Sequence, residues 1–326
     1  MTTHLRTVFL AFCLAAYGSP NAVGAPNDDL YTLGPDSQVH DGIPQGKVIG
    51  PLTLASQVFT NTTRHYWIYV PAQYDPQKPA SLMIFQDGQA FVGPGGEYRI
   101  PTVCDNLIYR REMPVTIAIF INPGHTPEQL ESTSTNWGDS INNRGTEYNE
   151  LNDNYANLII NELLPAVEKD YNISKNPDDR AIAGASSGAI CAFTVAWQRP
   201  DQFHKVISTI GSFTNIRGGH VYPDLILKSD RKPIRIFLQD GLNDLRGHGR
   251  NNSAYDPKRD WHAQNIKMVA ALTQKGYDVN YCWGIGTHSG KQAGSIMPDM
   301  LRWLWRDYPR TDDPANDTDR TPLVPK

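Results

Sequence analysis

The pentapeptide that contains Ser186 is the part of this sequence with the clearest capacity for chemistry. It reads G-x-S-x-G from Gly184 to Gly188, and it follows a short apolar run and precedes an apolar segment with helical spacing. A serine on such a sharp strand-to-helix turn needs small neighbours, and this context is typical of a nucleophile elbow. The pentapeptide alone would also fit a Gly/Ser-rich loop that caps a helix. We interpret Ser186 as a candidate nucleophile whose partners must be found elsewhere.

Candidate partners for Ser186 follow later apolar runs of the chain. A serine nucleophile needs a base to take its proton and an acid to hold that base in the correct tautomer. His288 lies in a Gly-rich loop after the last apolar run, and Asp240 and Asp244 follow the run before it. The order Ser, Asp, His is that of α/β hydrolases, and loops after parallel strands gather at one sheet edge. We predict that Ser186, Asp244 and His288 form a triad. Asp244 is favoured because G-x-x-D lets the chain turn before the carboxylate points at the histidine, and Asp240 is the alternative.

An acyl-transfer site also needs donors for the negatively charged oxygen of its intermediate. One donor is predicted to be the backbone N–H of Ser187, the residue after the nucleophile, at the start of a helix. The other should come from the loop after the third strand, which contains Asp87, Gly88 and Gln89. We assign the backbone of Gln89, with Gly88 as the alternative.

The elements that must position these loops alternate between apolar runs and segments with helical periodicity. Several runs are apolar at every position, which is typical of parallel strands buried on both faces of a sheet. The order strand, helix, strand indicates a doubly wound, mostly parallel sheet with helices on both faces. The predicted strands lie near residues 52–59, 64–70, 82–85, 115–121, 181–183, 206–210, 234–238 and 279–283. The predicted helices lie near residues 103–111, 148–171, 261–275 and 297–305.

The composition favours one globular catalytic domain with short tails. The chain has 326 residues, of which 40% are hydrophobic and 10% aromatic, enough for one large core. Its formal net charge is −4, and it has no stripe rich in lysine or arginine. Nucleic acid is therefore not expected as a partner.

The two ends of the chain differ in composition from the middle. Residues 1–25 have the order of charge, short apolar run and small residues of a secretory signal peptide, and the run is too short to span a bilayer comfortably. We expect export to the periplasm or the medium, with an uncleaved membrane anchor as the alternative. Residues 26–47 are predicted to be an N-terminal arm, residues 48–309 the catalytic domain, and residues 310–326 a disordered tail.

The cysteines give neither a metal signature nor a disulfide framework. Cys13 belongs to the signal segment, and Cys104, Cys191 and Cys282 remain, without C-x-x-C spacing. One disulfide among these three is possible from the count and cannot be assigned. We predict no metal and no cofactor.

Several consecutive blocks of this sequence resemble one known family. In chain order they are YVPAQYDPQKPASLMIFQDG, NRGTEYNELNDNYANLIINELLP, GASSGAICAF, FHKVISTIGSF, IRIFLQDGLND and GTHSG. From about residue 52 to residue 308 the chain looks like the enterochelin-esterase-like branch of the esterase D superfamily. The resemblance implies an α/β-hydrolase fold and a metal-free serine esterase with a Ser-His-Asp triad, related to siderophore, feruloyl and acetyl xylan esterases. Within this family we expect the chain to be similar to the short, exported members and not to the larger siderophore esterases, which have an extra N-terminal domain.

Three further residues are candidates for the substrate site. Arg144 and Glu147 fall in one of the family blocks, and we expect them to line or brace the site, unless they form a surface salt bridge. Trp137 could stack on an aromatic or sugar ring, or belong to the core. The expected function is an exported esterase that acts on a small-molecule or carbohydrate ester. An acyltransferase with the same triad and a noncatalytic sugar- or siderophore-binding protein are the alternatives.

Overall fold

The structure is a computed structural model that describes residues 27–133, 138, 141–248 and 254–308. The signal segment, the tail at 310–326 and Trp137 lie outside the described residues. Within the described part of the chain, no helix combines the length and apolar character needed to cross a membrane.

One eight-stranded sheet organises the fold, in the order β1-β2-β4-β3-β5-β6-β7-β8. Strands β3 to β8 pair in parallel, while β2 is antiparallel to β4 and β1 is antiparallel to β2. The strands are β1 (Lys47–Ser56), β2 (Thr62–Val70), β3 (Ser81–Gln86), β4 (Thr116–Ile121), β5 (Arg180–Ala185), β6 (Lys205–Thr209), β7 (Arg235–Gly241) and β8 (Asp278–Gly284). With the flanking helices, this is the α/β-hydrolase fold that the sequence predicted.

The burial of the central strands explains why the apolar runs of the sequence predicted them. Every residue of β3, β4, β5 and β6 is buried, because these strands have helices on both faces. The first strand was misplaced, since β1 ends at Ser56 and not near residue 59. The Ser56 hydroxyl accepts the N–H of Phe59 at 2.9 Å, and Thr62 bonds back to the Phe59 carbonyl at 2.6 Å, so these residues form the turn into β2.

Nine α-helices are assigned within the described residues. They are α1 (Gly88–Val92), α2 (Ile100–Tyr109), α3 (Arg144–Asn149), α4 (Asn154–Leu158), α5 (Leu164–Val167), α6 (Ser187–Gln198), α7 (Tyr222–Lys228), α8 (Trp261–Gln274) and α9 (Lys291–Leu304). The continuous helix predicted at 148–171 is wrong in detail. The chain leaves α3 in an extended conformation at Glu150, and a π-helical turn joins α4 to α5 just before Pro165, which has no N–H to donate.

The helices cover the sheet in two layers. The larger hydrophobic cluster joins one face of the sheet to α4, α6, α7 and α8, and the second joins the other face to α2 and α9. Helix α6, directly after the pentapeptide, is buried from Ser187 to Trp197. The sheet is therefore doubly wound, and its carboxyl edge is held rigidly from both sides.

Candidate active site

Ser186 lies on a strained turn between β5 and α6. Its backbone has φ 56° and ψ −121°, a region that residues other than glycine rarely adopt. Small neighbours are required there, because a Cβ on Gly184 would lie 2.3 Å from the Gly188 carbonyl carbon. A Cβ on Gly188 would lie 2.9 Å from Oδ2 of Asp87. The turn therefore has the geometry of a nucleophile elbow.

The structure brings Ser186, His288 and Asp244 together from three loops. The Ser186 hydroxyl lies 2.8 Å from Nε2 of His288, where it can donate its proton. Nδ1–H of His288 donates to Oδ1 of Asp244 at 2.5 Å. Asp244 is buried, and its Oδ1 also accepts the N–H of Leu245 at 2.5 Å. Each residue follows the carboxyl end of a parallel strand, which is why residues 102 and 44 positions apart meet.

The alternative acid, Asp240, faces away from the histidine of the triad. Its Oδ1 accepts the N–H of Gly241 at 2.7 Å, and its Oδ2 accepts from Asn265 of α8 at 2.8 Å. Its carboxyl also interacts with that of Asp244, whose buried Oδ2 accepts no hydrogen bond from an N–H group among the described residues. Burial and the adjacent charge of Asp244 raise the pKa of Asp240 well above its ordinary value.

We infer that Asp240 holds the proton that the two acids share. Burial also raises the pKa of Asp244, to about 6, but the hydrogen bond from Asp240 favours its charged form. Two adjacent buried carboxylates cannot both ionise without a large cost, so one of them stays neutral. The negative charge is left on Asp244, next to His288.

Two residues beside the triad were not identified as candidates from the sequence. The Ser212 hydroxyl lies 3.2 Å from that of Ser186 and accepts the indole N–H of Trp261 at 3.1 Å. The Trp261 ring meets the His288 ring edge to face, with 5.6 Å between centroids. The position of Ser212 in the loop after β6 was the available signal, because Ser186, Asp244 and His288 also lie in loops that follow strand ends.

The loop after β3 has a different arrangement of donors from the one predicted. The backbone N–H of Gln89 donates to Oδ1 of Asn122 at 3.2 Å. The N–H of Gly88 meets no acceptor among the described residues. A Cβ on Gly88 would lie 2.4 Å from the backbone of β4, so only glycine fits there. The structure therefore favours Gly88, the alternative, as the available donor of this loop, while Ser187 begins α6 as predicted.

Arg144 braces the site from behind. Its Nε and Nη2 donate to the two carboxylate oxygens of Asp87 at 2.8 and 2.6 Å, and Nη2 also lies 3.4 Å from the Ala185 carbonyl. Both partners of the ion pair are buried. The guanidinium thus ties the loop after β3 to the residue just before Ser186, and it does not form a surface salt bridge.

Glu147, on the same helix as Arg144, is also buried. It pairs with the equally buried Arg64 at 2.6 Å and accepts the backbone N–H of Gly124 at 3.1 Å. These contacts with the framework fit the bracing role among the two that the sequence suggested. The stacking role of Trp137 stays a prediction, because that residue lies outside the described part.

Other groups that could carry metal or thiol chemistry are not arranged for it. Among the described residues, no three His, Cys, Asp or Glu side chains are grouped so as to hold a metal ion. Cys104, Cys191 and Cys282 form no disulfide. Burial raises the pKa of the Cys191 thiol well above its ordinary value, as expected for a packing residue of α6.

Part of the sequence matches the model of a known family. The model of the Esterase family, described as "Putative esterase", matches residues 56–216, which include the Ser186 turn. "Uncharacterized protein YbbA" of Bacillus subtilis (strain 168) is 23% identical over 250 residues, covering 74% of this chain and 92% of that protein.

Solved structures of esterases have the same fold. The enterobactin esterase FES of Shigella flexneri superposes with a TM-score of 0.59 at 19% identity, over 81% of this chain and 61% of that one. The chain thus spans about six tenths of the length of that enzyme. A ferulic acid esterase superposes with a TM-score of 0.60 at 20% identity, over 80% of this chain and 99% of that one.

The family match supports an esterase function, that of a carboxylic ester hydrolase, and the structural neighbours agree on the fold. By fold the chain is therefore an α/β hydrolase similar to the enterobactin and ferulic acid esterases, in agreement with the resemblance of its sequence to the enterochelin-esterase-like branch of the esterase D superfamily.

Proposed function

We propose that this chain is an exported serine esterase that hydrolyses a carboxylic ester through an acyl-enzyme on Ser186. The observation that carries the proposal is the unbroken chain of hydrogen bonds from Ser186 through His288 to Asp244, at 2.8 and 2.5 Å. A strained elbow holds the first residue, and a buried carboxylate orients the second. A structural serine would need neither.

In the first half of the reaction, Ser186 Oγ attacks the acyl carbon while Nε2 of His288 takes the hydroxyl proton. Asp244 keeps Nδ1 protonated and stabilises the imidazolium that forms. The backbone N–H groups of Ser187 and Gly88 are the proposed donors to the oxyanion, whose developing charge such fixed donors stabilise. The C–O bond of the ester breaks, and the leaving alcohol receives the proton from His288.

In the second half, a water molecule replaces the alcohol. His288 takes a proton from the water, and the hydroxide attacks the acyl carbon of the ester on Ser186. The acid product leaves, and Ser186 regains its proton from His288. An acyltransferase would run the same step with a sugar or lipid hydroxyl in place of water.

The substrate class is proposed from the resemblance to known esterases. We propose that the substrate is either a small-molecule ester of the siderophore type or a carbohydrate ester, in which a sugar carries an aromatic acid or an acetyl group. Export to the periplasm or the medium is proposed from the composition of residues 1–25, and no stable membrane insertion is expected after cleavage.

The test is hydrolysis of p-nitrophenyl acetate together with labelling by a fluorophosphonate probe. Wild-type protein should hydrolyse the ester and take up the probe, and Ser186→Ala should do neither. Ser229→Ala, a matched control at the end of α7, should behave as wild type. A noncatalytic binding protein would give no hydrolysis and no labelling, and that result would contradict the proposal. Turnover of an enterobactin-type trilactone, methyl ferulate and an acetylated xylo-oligosaccharide would then identify the ester.

A further inference from the structure

The N-terminal segment before β1 lies against the loop that carries His288. Asp28 accepts the backbone N–H of Thr287 at 2.8 Å and the Ser289 hydroxyl at 2.9 Å. The Thr287 hydroxyl also donates to it. These hydrogen bonds cross about 260 residues of sequence and end on the two neighbours of the histidine.

The contact between the Asp28 carboxylate and the histidine loop is buried and hydrogen-bonded, unlike a chance contact at the surface. Asp28 is only 3% exposed, although it lies near the start of the described chain. A buried carboxylate is costly unless hydrogen bonds satisfy it, and here all three donors come from residues next to His288. Nearby, the Tyr31 hydroxyl accepts the N–H of Ile285 at 2.8 Å.

The histidine loop needs such external support because of its own sequence. It reads GIGTHSG, and its glycines give the backbone little intrinsic stiffness. On its other sides Gln292 accepts the N–H of Gly286 at 3.1 Å, and Gly290 packs against Glu97. Asp28 is the group that fixes the two residues on either side of the imidazole.

We propose that Asp28 is a positioning residue for His288, which it acts on through Thr287 and Ser289. The inference rests on the proposed function, since it assigns His288 the role of general base. Asp28 touches neither the nucleophile nor the imidazole, so its effect should fall on turnover and not on substrate binding. A displacement of the base by about 1 Å can cost about 10²-fold in rate.

The experiment compares three variants of the full chain. Asp28→Ala removes every acceptor and should lower kcat by about 10²-fold with KM unchanged. Asp28→Asn keeps an acceptor for the Thr287 N–H and gains a donor to one hydroxyl, so it should recover most of the turnover. Asp29→Ala is the matched control, because the one side-chain partner of Asp29 among the described residues is Lys291, in an exposed ion pair, and this variant should behave as wild type.

Hydrogen–deuterium exchange of the peptide that covers residues 284–291 provides a readout that does not depend on activity. Amides in this peptide should exchange faster in Asp28→Ala than in Asp29→Ala, while the rest of the sheet is unchanged. If the wild-type protein hydrolyses no ester, the proposed function fails, but faster exchange would still show that Asp28 holds the loop. If folded Asp28→Ala matches the Asp29→Ala control in both kcat and exchange, the inference is wrong. Should Asp28→Ala fail to fold, the same comparison is made with Ser289→Ala, which removes one of the donors.

Discussion

Asparagine at Asp240, near the end of β7, and asparagine at Asp244, just after it, should have very different effects on turnover. In Asp244→Asn, an amide stands 2.5 Å from Nδ1 of His288 in place of a carboxylate. The amide NH₂ favours the tautomer with its proton on Nε2, which can no longer accept the Ser186 proton. Loss of the correct tautomer should lower kcat by about 10⁴-fold.

In Asp240→Asn, the substitution imitates the neutral acid that we infer at this position. The new amide offers a donor to the Asp244 carboxylate, as a protonated carboxyl would, and its oxygen can still accept from Gly241. The bond from Asn265 is lost, and the ring of His262, whose Nδ1 lies 4.0 Å from Oδ2 of Asp240, loses a nearby acceptor. One neutral hydrogen bond contributes about 1 kcal/mol, so kcat should fall by roughly fivefold or less.

The assay is the steady-state turnover of p-nitrophenyl acetate by both variants, with thermal denaturation to verify that each is folded. Asp240→Asn should remain active, and Asp244→Asn should be nearly inactive at an unchanged melting temperature. A folded Asp240→Asn that loses more activity than Asp244→Asn would refute the assignment of the acid. Equal and large losses in both would refute the inference that Asp240 holds the shared proton.

Two predictions concern stability. Arg144→Met leaves the carboxylate of Asp87 buried without its bidentate partner, which should lower the free energy of unfolding by about 3–5 kcal/mol. In thermal denaturation, the double variant Arg144→Met with Asp87→Asn should recover part of this loss. Equal melting temperatures for wild type and Arg144→Met would contradict the prediction. Burial raises the pKa of Asp105 from 3.8 to about 6, although Tyr69 and Gly46 donate to it. The native state thus binds this proton more tightly than the unfolded state. The free energy of unfolding therefore falls by up to about 3 kcal/mol as the pH rises through the window between these two pKa values. Urea unfolding below and above the window should give a flatter pH dependence for Asp105→Asn than for wild type, and parallel curves would contradict the prediction.

The sequence predicted the buried centre of the fold because hydrophobic burial leaves a local pattern. Strands β3 to β7 carry runs of apolar residues, and the elbow at Ser186 has local signs in Gly184 and Gly188. The order of Ser186, Asp244 and His288 then followed from topology, since loops after parallel strands share one edge. The helix predicted near residues 261–275 is observed as α8, and Gly276 just after it has φ +73°, the left-handed conformation that commonly ends a helix.

The features that the sequence did not predict depend on contacts between residues far apart in the chain. No local sequence pattern indicates such contacts. Nothing near Arg144 indicates that its partner is Asp87, 57 positions earlier. The segment that contains Asp28 was predicted as an arm without periodicity, and only the folded structure places its carboxylate beside Thr287. Likewise, the choice of Gly88 over Gln89 depends on the side chain of Asn122, which belongs to the next strand's loop.

The acyl-enzyme on Ser186 is the central claim, and it can be observed directly. Wild-type protein would be mixed with p-nitrophenyl acetate, quenched in acid within the first turnover, digested and analysed by mass spectrometry. The peptide that contains Ser186 should carry the mass of one acetyl group, and this modification should be absent from Ser186→Ala and decay as hydrolysis proceeds. Hydrolysis that continues in Ser186→Ala, or an acetyl group found only on another residue, would contradict the account.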